Sequence, residues 1–224
     1  FSGNGVSCSD DSVATFASES IIDNVAVGAR AVHALDIDGD GDTDAFSASA
    51  HGNTFAWYEN NGSESFTKRV IKNTADYAYD IYGVDIDGDG DVDAFAASFD
   101  DDTLSWFEND GSENFTERVI TTSFDGAISV YPADMDGDGD IDAVAAFEDA
   151  STIAWFRNDG AQNFTPQTIA TDAMQAIDVK ALDMDGDGDM DVVSASFDDD
   201  TVAWYENNGS QSFTKRVITN AADS

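Results

Sequence analysis

The chain reads as an all-β protein, a β-propeller built of four-stranded antiparallel blades with a 49-residue repeat, on three observations. A D-x-D-G-D-G-D-x-D string begins at Asp36, Asp85, Asp134 and Asp183, each 49 residues after the last. Trp57, Trp106, Trp155 and Trp204 keep the same interval, and so do Phe66, Phe115, Phe164 and Phe213. β-branched and aromatic residues dominate between these marks, and no segment sustains a period near 3.6, which argues against helix. Units of roughly 40–50 residues holding four short strands are the signature of propeller blades. A β-solenoid is the competing repeat architecture, but its rungs are usually shorter.

The second unit shows the elements in order. Tyr79–Val84 (YDIYGV) reads as a first strand, and the Asp-rich loop follows it. Asp93–Phe99 alternates as a second strand, the acidic turn Asp100–Asp102 leads to a third at Thr103–Glu108, and Asn109-Asp110-Gly111 marks the next turn. Phe115–Thr121 is the fourth strand. The register divides the chain into blades at about 25–73, 74–122, 123–171 and 172–220, with a tail at 221–224. Residues 1–24 read as a partial outer half-blade or a capping or assembly segment. Phe16–Ile22 resembles a fourth strand there, and Val6–Asp11 a degenerate third. Three explanations stand open for these ends: a window on a longer propeller, a cap on a terminal blade, or strands that pair with a neighbouring molecule.

The charge narrows the partners. Forty-six acidic residues against nine basic give a formal net charge of -37. Disorder is the usual consequence of such a balance, but the 42% hydrophobic and 11% aromatic content is regularly placed and supplies a core. Nucleic acid and anionic membrane surfaces are excluded as partners by repulsion; cations are favoured. No run of 18 or more apolar residues exists to span a bilayer, and no signal peptide is visible, as expected of a mature or trimmed chain. The single cysteine, Cys8, cannot form an intrachain disulfide.

Each Asp-rich loop is built like a compact EF-hand loop without its helices. Alternating carboxylates suit Ca²⁺, which takes 6–8 oxygen ligands. In the first loop Asp36, Asp38 and Asp40 occupy positions one, three and five. Gly41 permits the bend, the main-chain carbonyl of Asp42 serves position seven, and Asp44 closes the sphere as a bidentate ligand. The second loop repeats this with Asp85, Asp87, Asp89, Asp91 and Asp93. The third offers Asp134, Asp136, Asp138, Asp140 and Asp142, and the fourth Asp183, Asp185, Asp187, Asp189 and Asp191. The bland alternative is a solvated acidic turn, in which five carboxylates within nine residues would repel one another. Zinc is disfavoured because the loops hold no His or Cys, and magnesium because all-protein oxygen cages fit the larger ion better. About four Ca²⁺ ions, one per loop, are therefore expected.

The loop motif and the 49-residue blade resemble the FG-GAP/VCBS-type repeats of integrin-α-like propellers over residues 25–220. That resemblance implies calcium in the hairpin between first and second strands, and roles in adhesion, ligand recognition or extracellular architecture. Some related propellers are lectins, and family members commonly close with seven blades.

The remaining features have bland readings. Sequons at Asn61, Asn114, Asn163 and Asn208 lie in the third-to-fourth-strand hairpins and are glycosylation candidates, although Asn-Gly turns generate sequons incidentally. If modified, they share an end of the blade with the Asp loops. The tryptophans, each followed by Tyr or Phe, are expected to pack between blades rather than to serve as sugar platforms. Asp100–Asp102 and Asp198–Asp200 read as solvated hairpin tips at the opposite end. Lys68-Arg69, Arg118 and Lys215-Arg216 lie on the outer strand, where charge discourages edge aggregation. His33 and His51 do not repeat, and no G-x-S-x-G motif appears, so an enzyme is not expected. The sequence thus predicts a secreted, non-enzymatic, calcium-binding propeller for adhesion or structure. Self-assembly through an incomplete terminal blade, binding of an extracellular protein or glycan, and a carbohydrate-binding lectin are the further expectations.

Overall fold

The computed structural model describes residues 20–221, and the strands expected at Val6–Asp11 and within Phe16–Ile22 fall almost wholly outside them. Sixteen strands form four sheets of four. The first sheet holds β1 (Ala29–Leu35), β2 (Asp44–Ser49), β3 (Thr54–Asn60) and β4 (Phe66–Lys72). The second holds β5 (Ala78–Val84), β6 (Asp93–Ser98), β7 (Thr103–Asn109) and β8 (Phe115–Thr121). The third comprises β9 (Ala127–Ala133), β10 (Asp142–Phe147), β11 (Thr152–Asn158) and β12 (Phe164–Ala170). The fourth comprises β13 (Ala176–Leu182), β14 (Asp191–Ser196), β15 (Thr201–Asn207) and β16 (Phe213–Thr219). Every neighbouring pair is antiparallel and consecutive in sequence, the meander of a propeller blade. Among the described residues no helix is long and apolar enough to cross a membrane.

Burial explains the strand sequences. The second strand of a blade lies inside the stack, and β2, β6 and β10 are buried at every residue. In β2 and β6 one face of that strand carries a phenylalanine and the other small side chains. Phe46 packs into the same core as Ala94 and Ala96 of the next blade, and Phe95 into that of Ala143 and Ala145. A large forward face thus meets a small rear face at the first two junctions, filling the gap without strain, while at the third Val144 and Ala146 share a core with Val192. The periodic phenylalanines complete the joint: Phe46 meets Phe115 edge-on at 6.0 Å, and Phe95 meets Phe164 at 5.9 Å. Outer strands β4, β8 and β16 are largely exposed. There Arg69, Arg118 and Arg216 pair across to Glu59, Glu108 and Glu206, contacts worth little individually in water.

Innermost strands have an unpaired edge, and side chains of the preceding blade cap it. The Gly83 N–H donates to His33 Nδ1 at 2.9 Å, and the Val130 N–H to Asp80 Oδ2 at 3.0 Å. His33 also lies against Tyr82, with ring centroids 3.9 Å apart.

The two ends of the stack differ from its interior. Val32 on β1 is 74% exposed, whereas its equivalents Ile81, Val130 and Val179 are buried. In the fourth blade Phe197, Met184 and Ile177 are exposed, because no further sheet covers that face among the described residues. The expectation that every tryptophan is buried between blades therefore needs one correction. Trp57, Trp106 and Trp155 are buried, but Trp204 is only half-buried, since no following blade covers its face among the described residues. At the front, residues 20–28 run as irregular chain, and Asp23 Oδ2 accepts bonds from Tyr58 Oη (2.7 Å) and Lys68 Nζ (2.9 Å), tying that segment to β3 and β4.

Quasi-equivalent positions with unequal cover give a direct test of this packing. Trp155→Ala is expected to destabilise by about 3–5 kcal/mol and Trp204→Ala by less than half as much in chemical denaturation; equal losses would contradict the assignment of covered and uncovered faces.

Candidate metal centres

All four Asp-rich loops connect the first strand of a blade to the second, and the last Asp of each begins that second strand. The chain turns tightly because both glycines adopt the left-handed region, Gly39 at φ 75° and Gly41 at φ 94° in the first loop. Carboxylates organise the same turn. Asp36 accepts the Gly39 N–H on Oδ1 (2.9 Å) and the Gly41 N–H on Oδ2 (3.0 Å), while Asp40 Oδ1 accepts the Asp42 N–H at 2.9 Å. Asp85, Asp134 and Asp183 repeat the paired acceptance from their own glycines.

The ninth residue is held differently. Asp44, Asp93, Asp142 and Asp191 are buried. One oxygen of each accepts the N–H of the residue following the first Asp: Ile37, Ile86, Met135 and Met184, at 2.9–3.0 Å. The other accepts the N–H of Asn60, Asn109, Asn158 and Asn207 at the end of the third strand, at 2.7–2.8 Å. Those asparagines return the contact, donating Nδ2–H to the carbonyls of Thr43, Val92, Ile141 and Met190 at 3.1–3.2 Å. Sequence reasoning missed this clamp, although the asparagine recurs every 49 residues and its periodicity was available as a signal.

Three carboxylates converge in every blade, with oxygens mutually within 4.8 Å. In the first loop they are Asp36, Asp38 and Asp40; in the others they are the first, third and ninth residues, namely Asp85, Asp87 and Asp93, then Asp134, Asp136 and Asp142, then Asp183, Asp185 and Asp191. The side chains at position seven lie apart from these groups. They face the neighbouring hairpin, where a Cβ on Gly111 would stand 2.5 Å from Asp91 Oδ2, and where Gly160 and Gly209 meet Asp140 and Asp189 alike. The β1–β2 and β3–β4 hairpins therefore share one end of the blade. Asn61, Asn114, Asn163 and Asn208 are exposed there.

Electrostatics show what this arrangement does to the carboxylates. Burial pushes Asp93 up to about 7 and Asp142 to about 6, against the opposing backbone hydrogen bonds. Burial also raises Asp38, Asp87, Asp136 and Asp185, with neighbouring carboxylates adding to it. A carboxyl raised in the fold binds more protons folded than unfolded between the two pKa values. For Asp93, stability therefore falls as pH climbs from about 4 to about 7 unless a cation offsets the charge. Asp136 Oδ1 is buried without a hydrogen-bond partner. Hard oxygen donors, converging and under-satisfied, are the chemistry of a divalent-cation site.

The third loop departs from the pattern. Where the other blades carry Glu59, Glu108 and Glu206, this one carries Arg157. The partner position on the fourth strand is Gln167 rather than Arg. Freed of a cross-strand pairing, the guanidinium reaches the loop and meets Asp136 (2.5 Å) and Asp138 (3.1 Å). A built-in cation thus competes with any metal at this site. In calcium titration calorimetry, Arg157→Glu is expected to tighten the weakest site by about tenfold or more; an unchanged isotherm would show that Arg157 does not compete.

No curated protein sequence matches the chain. Among solved structures, an Agrocybe aegerita lectin described as recognising non-reducing terminal N-acetylglucosamine is 20% identical, with a TM-score of 0.56 over 84% of this chain and 53% of the lectin. An exo-β-1,3-galactanase from Phanerochaete chrysosporium, solved with β-1,3-galactotriose, is 9% identical, with a TM-score of 0.55 over 86% of this chain and 50% of the galactanase. These likenesses are of fold alone, and the chain spans about half the length of each. The FG-GAP-like repeat matches at residues 36–96, 85–145, 134–194 and 183–224. One structural unit, a hairpin loop of converging carboxylates clamped to a four-stranded sheet, underlies all four matches, and the chain belongs to the FG-GAP-like repeat family.

Proposed function

We propose that this chain is a calcium-stabilised propeller module of an extracellular protein, non-enzymatic, serving adhesion or acting as a structural building block. The observation that carries this reading is the fourfold convergence of carboxylates in the β1–β2 hairpins. Ca²⁺ would be held in each loop by the carboxylates at positions one, three, five and nine and by the main-chain carbonyl at position seven. The ninth carboxylate spends one lone pair per oxygen on backbone N–H groups and keeps the others for the ion. Extracellular modules bind calcium at dissociation constants of about 10⁻⁴–10⁻³ M, a range that suits partly exposed loops bathed in millimolar calcium. Blades bounded near 73/74, 122/123 and 171/172 follow from the same repeat. The two end faces left uncovered among the described residues suit docking of a further blade, whether from a neighbouring molecule or from the same polypeptide.

A second reading, glycan binding, draws on the lectin and galactanase whose folds are similar. It is compatible with the first, because the calcium loops occupy only one end of the blades.

Linkage sets the test of the main reading. A ligand bound only by the fold stabilises by about 2.7 kcal/mol per site at a hundredfold excess over its dissociation constant. Millimolar calcium is therefore expected to raise the melting temperature well above its value in excess chelator, with magnesium giving a smaller rise. The gap is expected to be widest above pH 7 and to narrow toward pH 5, as Asp93 and Asp142 take up protons and the metal-free fold recovers. Equal melting temperatures in calcium and chelator at pH 8 would overturn the proposal.

A further inference from the structure

The four repeats are nearly uniform at the Asp loops but diverge at the opposite end of the blades. The position of Gly28 is Tyr77, Gly126 and Gln175 in the later blades. That of Arg30 becomes Tyr79, Ile128 and Ile177, and that of Ala50 becomes Phe99, Glu148 and Phe197. Six side chains from these divergent positions and the adjoining turn, namely Arg30, Tyr77, Tyr79, Phe99, Asp100 and Glu148, line one open cavity of about 440 Å³. It opens where the first three blades converge.

Three observations show a built arrangement. First, Tyr77, Tyr79 and Phe99 form a corner of rings with centroids 6.1–6.3 Å apart, and His51 braces Tyr77 edge-on at 5.4 Å. Secondly, Tyr77 sits at φ 58°, a left-handed conformation that glycine fills in the first and third blades. A bulky side chain in that region is strained. It is held there by the Phe99 N–H donating to the Tyr77 carbonyl (3.1 Å) and by the Tyr77 N–H donating to Asn53 Oδ1 (3.2 Å).

Thirdly, Arg30 is exceptional among the charges. Each of the other eight basic residues has a carboxylate within ion-pair distance. Arg30, among the described residues, instead donates to Tyr77 Oη at 2.8 Å and lies 4.9 Å from the Tyr79 ring centroid and 5.6 Å from that of Tyr77. In a chain of net charge -37 this leaves a guanidinium with spare donors in the lining of a cavity that two carboxylates, of Asp100 and Glu148, also line.

We propose that this cavity is a binding site for a neutral pyranose ring. The apolar face of a sugar would lie on the Phe99 ring, the one ring of the corner over which Arg30 does not lie. Its hydroxyls would accept from Arg30 and donate to Asp100 and Glu148, a division of donors and acceptors that a polyol satisfies on adjacent carbons. An anion is disfavoured by the acidic surroundings, and Arg30 already fills the place over the rings that a ligand cation would take. The size lies within the range of small-molecule sites, about 300–1,000 Å³. The assignment rests on the glycan-binding reading and is independent of calcium ligation at the other end.

Saturation-transfer NMR in millimolar calcium tests it, with methyl glycosides of glucose, galactose and mannose and their 2-acetamido analogues as probes. At least one pyranoside is expected to bind. Tyr77→Gly installs the residue that the first and third blades carry, so it removes the ring while relieving the backbone. This variant and Arg30→Ala are each expected to weaken binding about tenfold or more, equivalent to about 1.4 kcal/mol, with the melting temperature kept. Absence of binding to any probe in the wild type would overturn both the glycan-binding reading and this site. Binding undiminished in both variants would overturn the site and leave the reading standing.

Discussion

The contact on which the blade depends is the buried carboxylate at the ninth loop position. It receives one N–H from the start of its own loop and another from the end of the third strand, so a single side chain ties hairpin and sheet together. Without it, two backbone donors would be buried without partners, each costing roughly 1–3 kcal/mol. The cost of the device is charge. Burial raises the pKa of this carboxylate to about 7 in the second blade, with Asp87 and Asp89 adding to it, and a divalent cation would be the simplest neutraliser that also satisfies the remaining lone pairs. Fold and candidate metal chemistry thus meet in one side chain: the sheet needs the carboxylate, and the carboxylate group has the form of a cation site.

Repetition of this unit would give four independent modules if the blade faces did not also match. At the first two junctions they match because a phenylalanine projects from one face and alanines from the other, and at the third Val144 and Ala146 meet Val192. The pattern has no internal stop. Among the described residues, Val32 at one end and Phe197 at the other are exposed where no blade lies beyond them, and Val130 and Phe46 are buried where one does. Between these ends, the interior junctions leave two unlike surfaces: a uniform acidic end built by the repeat, and an opposite end where the repeats have diverged.

Much of this was legible in the sequence. The Asp string, the tryptophan and the phenylalanine fixed the repeat, and within it Phe115–Thr121 was placed residue for residue, with Tyr79–Val84 and Thr103–Glu108 each short by one at a terminus. Strand ends blur because pairing, rather than composition, determines where they lie. The convergence of loop carboxylates was legible because alternating Asp and Gly leave little choice of turn. Three things were not. The asparagine clamp was hidden because Asn-Asp-Gly looks like an ordinary turn until the facing loop is seen. Arg157 reads as an outer-surface charge until the loss of its partner at position 167 sends it to the Asp loop. The cavity beside Arg30 combines three blades, and no local pattern brings Tyr77, Phe99 and Glu148 together.

The central claim is that the ion completes a clamp joining each Asp loop to its sheet. Hydrogen–deuterium exchange at the amides of Asn60, Asn109, Asn158 and Asn207, followed in calcium and then in chelator at pH 8, reads that clamp directly. The account predicts strong protection of all four amides in calcium and a marked loss on chelation, larger than at the mid-strand amides of β6 and β10. Protection that is unchanged by chelation would show that the loops hold the sheets without a metal, and would contradict the account.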